Sequence, residues 1–107
     1  MQNISNQELL TLIANTPNLQ LIDVRTPNEY DHLGHVAGSI NLPVQTVQEW
    51  AATLDSAKPT ALICQGGVRS VYGCDYLASQ GFKTLYNLTD GMKAWDGELS
   101  FEATTPR

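Results

Sequence analysis

The stretch Leu62-Ile63-Cys64-Gln65-Gly66-Gly67-Val68-Arg69-Ser70 holds the residues best suited to chemistry. An apolar run from Thr60 ends in a cysteine, two glycines follow, then Arg69, Ser70 and a stretch with helical spacing. The reactive form of cysteine is the thiolate, which a helix N-terminus or a nearby cation favours. A helix start offers unpaired N–H groups and the positive end of its macrodipole. Glycines let such N–H groups turn inward into an anion-binding nest. The segment therefore reads as a strand, an anion-cradling loop with a nucleophilic sulfur, and a helix. Most cysteines that close an apolar run are inert core residues. Such a cysteine needs neither Gly66-Gly67 nor Arg69 beside it, which favours the reactive reading for Cys64. Cys74 has no such neighbours and reads as core packing.

Arg69 has two open roles. It can hold an anionic substrate at Cys64, or pair with Asp23 or Glu29 and brace the loop, and the guanidinium fork suits both. In either role its charge favours a thiolate at Cys64. Asp23 and Arg25 follow an apolar run and form either part of the same mouth or, preferably, a structural ion pair or loop hydrogen bonds. Glu29 and His35 resemble a base and its partner, but a thiolate in a helix-start nest needs no general base, so His35 reads as structural. Trp50 and Trp95 read as packing. No Cys/His cluster has zinc spacing and no phosphate-binding glycine motif is present, so no metal or organic cofactor is expected.

The elements that position these residues follow from periodicity and punctuation. Ser5-x-x-Glu8 is a capping box for a helix with Leu9, Leu10, Leu12 and Ile13 on its apolar face, stopped near Pro17. Leu19 to Val24 reads as a strand, and Thr26-Pro27 as an N-cap and first position of a brief helix ended by Gly34. Ser39 to Leu42 reads as a second strand, and Val44 to Leu54 as a helix through Val47, Trp50 and Ala51. Thr60 to Cys64 is a third strand, Ser70 to Ser79 the helix after the loop, Thr84 to Leu88 a further strand, and Gly91 to Trp95 a last short helix. Strands alternating with helices imply an α/β fold, a mostly parallel sheet with both faces covered. Ligands of such sheets bind beyond the carboxyl ends of strands, where Cys64 sits.

The chain of 107 residues is near the commonest size of one domain, and 42% hydrophobic content is ordinary for a globular protein. A net charge of −5 argues against general binding to nucleic acid or to anionic membranes. No run approaches the roughly 18 apolar residues of a membrane span. Met1 to Ser5 has neither a basic nor an apolar leader pattern, so no secretory leader is expected. Two cysteines make no disulfide framework, and a reducing cytoplasm suits a working thiol.

Cys64-x-x-Gly67-x-Arg69-Ser70 resembles the active-site loop of the rhodanese-like sulfurtransferases. Leu21-Ile22-Asp23-Val24-Arg25, Glu29-Tyr30 and the segment from Gly34 to Pro43 resemble the family's N-terminal signature, and Leu88 to Trp95 its C-terminal one. These blocks span roughly residues 4–96 in family order. The resemblance implies a single rhodanese-like domain over 1–107, with a tail at 97–107. It implies a three-layer α/β fold whose mostly parallel sheet has four to five strands with helices on both faces. It further implies a thiosulfate sulfurtransferase acting through a Cys64 persulfide, with Gln65, Gly66, Gly67, Val68, Arg69 and Ser70 binding substrate. The partners expected are a small sulfur donor and acceptor, or a sulfur-relay protein; neither nucleic acid nor membrane is expected. Gln65 stands where many thiosulfate-using members carry a basic residue, so arginine there is expected to tighten the hold on a dianionic donor. Asp90 stands where the family often has glycine. Three other readings remain: a persulfide carrier serving a partner protein, a non-catalytic binding module, and a phosphatase or arsenate reductase of the same fold. Against the last, the spacing Cys64-x4-Arg69 is one residue short of Cys-x5-Arg. A persulfide adds one sulfur about 2.05 Å from Sγ, a smaller target than a tetrahedral oxyanion.

Overall fold

A computed structural model describes residues 1–102. Five parallel strands form one sheet in the order β1-β5-β4-β2-β3. They are β1 (Gln2–Ile4), β2 (Gln20–Asp23), β3 (Ile40–Asn41), β4 (Thr60–Ile63) and β5 (Leu85–Leu88). The helices are α1 (Asn6–Asn15), α2 (Pro27–Leu33), α3 (Val47–Trp50) and α4 (Arg69–Ser79).

Residue alternation along the strands divides the core. In β4, Ala61 and Ile63 join Leu9 and Met92 on one face; Leu62 and Cys64 join Trp50, Cys74 and Leu77 on the other. A strand buried on both faces needs the continuous apolar run that Thr60–Ile63 supplies. The same period of two sends Cys64 to the α4 side, under the start of the helix that follows it.

The caps read from sequence form as expected. Ser5 Oγ accepts the Glu8 N–H at 3.1 Å while the Ser5 N–H donates to Glu8 Oε1 at 2.9 Å. Thr26 and Glu29 repeat the arrangement, with Pro27 at the first helical position.

Two elements differ from expectation. The helix expected over Val44 to Leu54 is a 3-10 turn (Val44–Thr46), one turn of α3 and a second 3-10 turn (Ala51–Thr53). No side chain caps α3, and Trp50 Nε1–H donates to the Pro43 carbonyl at 2.8 Å, which seats the indole without a regular helix. β1 was not foreseen: its three residues carry no readable alternation, and it exists by pairing in register with Tyr86, Asn87 and Leu88. Ser100 returns to the segment after α2, with His35 N–H donating to the Ser100 carbonyl and Ser100 N–H to the His35 carbonyl, at 2.8 and 2.7 Å. The expected tail lies outside the described residues from 103 onward.

Candidate active site

Cys64 leaves β4 at its carboxyl end and its side chain is almost wholly enclosed. The Gly67 N–H donates to Cys64 Sγ at 2.9 Å, and Ser70 Oγ lies 3.2 Å from the same sulfur. Ser70 is buried in the first turn of α4, and its hydroxyl donates to Asn87 Oδ1 on β5. With that proton committed, a Cys64 S–H is the donor to Ser70 Oγ. Asn87 Nδ2 donates onward to Asn3 Oδ1 on β1 at 3.1 Å. A side-chain chain thus runs from the edge strand that the sequence hid to the sulfur. Among the described residues, the N–H groups of Gly66, Val68, Arg69 and Ser70 have no protein acceptor. The loop therefore carries unpaired donors, as a helix start does.

The turn after β5 fixes the loop's shape. Met92 N–H donates to the Cys64 carbonyl at 2.9 Å and Lys93 N–H to the Gln65 carbonyl at 3.0 Å. Gly67 has φ of 86°, and a Cβ there would lie 2.0 Å from the Thr89 carbonyl oxygen. Gly91, at φ of 67°, would put a Cβ 2.4 Å from the Gln65 carbonyl oxygen. Both positions need glycine for backbone angle and for closeness. The two segments that the sequence marked separately are thus one clamped unit.

Glu29 decides the geometry of Arg69. The guanidinium makes a fork to it, Nη1 to Oε1 at 2.7 Å and Nη2 to Oε2 at 2.8 Å, while the same carboxylate closes the Thr26 cap. The Arg69 fork holds the Glu29 carboxyl down from its usual 4.5 to about 2, and Glu29 in turn raises Arg69. Of the two roles open in the sequence, the bracing contact is made, to Glu29 and not to Asp23. Asp23 pairs instead with Arg25, both fully buried, with Nη2 to Oδ2 at 2.8 Å. The remaining Arg25 donors reach the Gly34 carbonyl at 2.8 Å and Gln65 Oε1 at 2.9 Å. This structural pair therefore also supports the loop from below.

A sequence model of the rhodanese-like domain matches residues 5–98. The chain belongs to the rhodanese-like family. It is 38% identical over 98 residues to "Putative sulfurtransferase YtwF" of Bacillus subtilis, covering 92% of this chain and 93% of that protein. It is 29% identical over 86 residues to thiosulfate sulfurtransferase GlpE of Shewanella oneidensis, covering 80% and 84%. The crystal structure of a rhodanese-like domain protein from Staphylococcus aureus superposes with a TM-score of 0.85 at 28% identity, over 96% of this chain and all of that one. The names of these relatives mark the family as one of sulfurtransferases.

Within this rhodanese-like fold residues 64 to 70 run from the end of β4 into the first turn of α4. Gln65 turns its amide oxygen to Arg25, so the side chain expected to face a donor braces the loop. Val68 projects outward at 77% exposure. His35 is buried, stacks on Tyr30 with ring centroids 3.6 Å apart, and holds Nδ1 2.9 Å from the Tyr30 carbonyl oxygen. Neither ring nitrogen is hydrogen-bonded to Cys64 or Glu29. Cys74 packs in the core, its Sγ 3.6 Å from the Tyr86 carbonyl oxygen, and burial pushes its thiol up to about 12. Among the described residues no three His, Cys, Asp or Glu side chains gather as a metal site. No helix among them is long and apolar enough to cross a membrane. Sequence reading missed Asn87 and Lys93, which the fold brings to the loop from 17 and more residues away.

Proposed function

We propose that this domain is a thiosulfate or persulfide sulfurtransferase in which Cys64 carries the sulfur. One observation supports this most: an N–H from inside the loop already donates to Sγ, and the buried Ser70 hydroxyl lies 3.2 Å from the same sulfur. Groups fixed before the reaction stabilise charge without reorganising. In the first step the Cys64 thiolate attacks the outer sulfur of thiosulfate. The S–S bond of the donor breaks, sulfite leaves as a dianion, and an anionic Cys64 persulfide remains. In the second step cyanide, or a thiolate in the cell, takes the outer sulfur and returns the Cys64 thiolate. Charge and sulfur balance in both steps, and splitting the transfer gives ping-pong kinetics.

Gly67 N–H and the free N–H groups of Gly66, Val68, Arg69 and Ser70 are the donors proposed for the two sulfurs. The Ser70 hydroxyl can turn from Asn87 to an anionic Sγ, since one proton serves either acceptor. The Arg69–Glu29 fork holds the start of α4, and so this donor set, against α2. A reducing cytoplasm suits the domain's free thiol.

The test is intact mass after incubation with thiosulfate. The parent gains one sulfur at Cys64 and loses it to cyanide, and Cys64→Ser stays folded and gains none. No gain at Cys64 from thiosulfate or from a small persulfide would sink the proposal. A second reading, a carrier that hands its sulfur to a partner protein, is favoured by the exposed apolar side chains of Val68 and Tyr72 at the start of α4. A carrier loads at Cys64 in the same experiment but turns over slowly with cyanide.

A further inference from the structure

A dianionic donor needs a cation near Cys64, and the residues expected to offer one are engaged. Arg25 is buried against Asp23, and Arg69 is forked to Glu29. Gln65 is neutral and bonded to Arg25. Lys58 precedes β4 and Lys83 precedes β5, so in this all-parallel sheet both lie at the amino ends of the strands, opposite the loop. Lys93 remains. It is exposed, it lies on the carboxyl-end turn, and it has no ion pair among the described residues. Asp90 of the same turn does not pair with it.

Its place at the loop is fixed twice. Its N–H donates to the Gln65 carbonyl at 3.0 Å. Its ammonium stands 4.0 Å from the point where a Cβ on Gly66 would lie. Gly66 has no side chain there, so the exposed rim between Nζ and the loop N–H groups is open.

We infer that Lys93 is the cationic subsite that draws the anionic end of the sulfur donor, the sulfonate of thiosulfate, to the rim of the Cys64 loop. This rests on the sulfurtransferase reading and adds to it a donor class: small donors with a fixed negative charge beyond the transferred sulfur. The charge enters from the turn after β5, in place of the basic residue absent at position 65. The free N–H groups of the loop then receive the sulfur, while the ammonium holds the group that departs as sulfite.

Two readouts test it on the parent, Lys93→Gln and Lys93→Arg. The first is thiosulfate:cyanide turnover. At low ionic strength Lys93→Gln raises KM for thiosulfate about fivefold while kcat holds, and the gap closes with added salt because exposed charges are screened. Lys93→Arg stays near the parent. The second needs no turnover: the rate of Cys64 alkylation by anionic iodoacetate relative to neutral iodoacetamide. Lys93→Gln lowers that ratio about twofold, the smaller effect expected for a single negative charge. An unchanged ratio, or an unchanged KM in a parent that turns over, overturns the inference. Failure of the sulfurtransferase reading shows separately, as a parent that gains no sulfur while the alkylation ratio still reports Lys93.

Discussion

Arg25 donates an N–H from Nη1 to Gln65 Oε1 at 2.9 Å, across 40 residues of sequence. That bond joins the first flexible side chain of the reactive loop to a guanidinium with no solvent exposure. Nε and Nη2 of the Arg25 fork are engaged by the Asp23 carboxylate and the Gly34 carbonyl. The base of the loop is thus tied to the ends of β2 and α2 by a buried charge. A buried donor stripped of its partner carries its full desolvation cost.

Gln65→Arg therefore has a different outcome from the one its sequence context suggests. The new guanidinium removes the acceptor of Arg25 and sets two like charges together. Stability should drop by about 1–3 kcal/mol, and KM for thiosulfate should not improve. Denaturant midpoints and steady-state kinetics on the same preparation check both. A lower KM with unchanged stability would mean that residue 65 faces the donor after all.

The Arg69–Glu29 fork should be visible in acid. The folded Glu29 carboxyl sits at about 2 against its usual 4.5, so the unfolded chain takes up the proton first as pH falls. The stability from this fork is complete above about pH 4.5 and is lost as pH falls toward 2. Both side chains are partly exposed, so solvent screening limits the contribution to about 1 kcal/mol. Glu29→Gln should be less stable than the parent near neutrality, and the difference should shrink through that window. A gap that stayed constant from pH 6 to pH 2 would show that the fork carries no stability.

What the sequence made legible was local. Cys64 with its glycines, the caps at Ser5 and Thr26 and the alternation of strands and helices all depend on residues within a few positions of one another. The contacts that finish the site do not. Gln65 meets Arg25, Ser70 meets Asn87, and Lys93 reaches Gly66 only after parallel pairing sets β2, β4 and β5 side by side. β1 is the extreme case, since Gln2–Ile4 has no pattern of its own and owes its strand to β5. The α3 region went wrong for the opposite reason. Apolar residues at helical spacing fit a run of 3-10 and α turns as well as one helix, and the sequence holds no cap to choose between them.

Cys74 supplies a control for the chemistry. Both cysteines are buried, so exposure does not separate them; Cys74 packs among Leu62, Leu77 and Trp50, and burial, reinforced by Asp75, pushes its thiol up to about 12. Cys74→Ala should cost about 1–2 kcal/mol through lost packing. Sulfur loading at Cys64 should persist. Chemical denaturation and intact mass on this variant measure the two effects. Loss of loading at unchanged stability would make Cys74 a partner of Cys64 rather than a core residue.

Loop length is the last feature open to direct test. Inserting one glycine between Gly67 and Val68 makes the spacing Cys-x5-Arg. Upstream, Gly67 is pinned against the Thr89 carbonyl and its N–H points at Sγ. Downstream, Arg69 is pinned to Glu29 and Ser70 to Asn87. With both ends held, the extra residue has to bulge between them, and the N–H groups of Val68 and Arg69 spread around a wider space. Donors set about 3 Å from an outer sulfur lose much of their strength when displaced, and misplacement of about 1 Å can cost about a hundredfold in rate. Thiosulfate turnover should fall by that order. Inorganic phosphate should now protect Cys64 from alkylation, which it should not do in the parent. Sulfur transfer at the parental rate in the insertion variant would show that the four-residue spacing does not select sulfur over a tetrahedral oxyanion. The short spacing would then give no physical ground against a phosphatase.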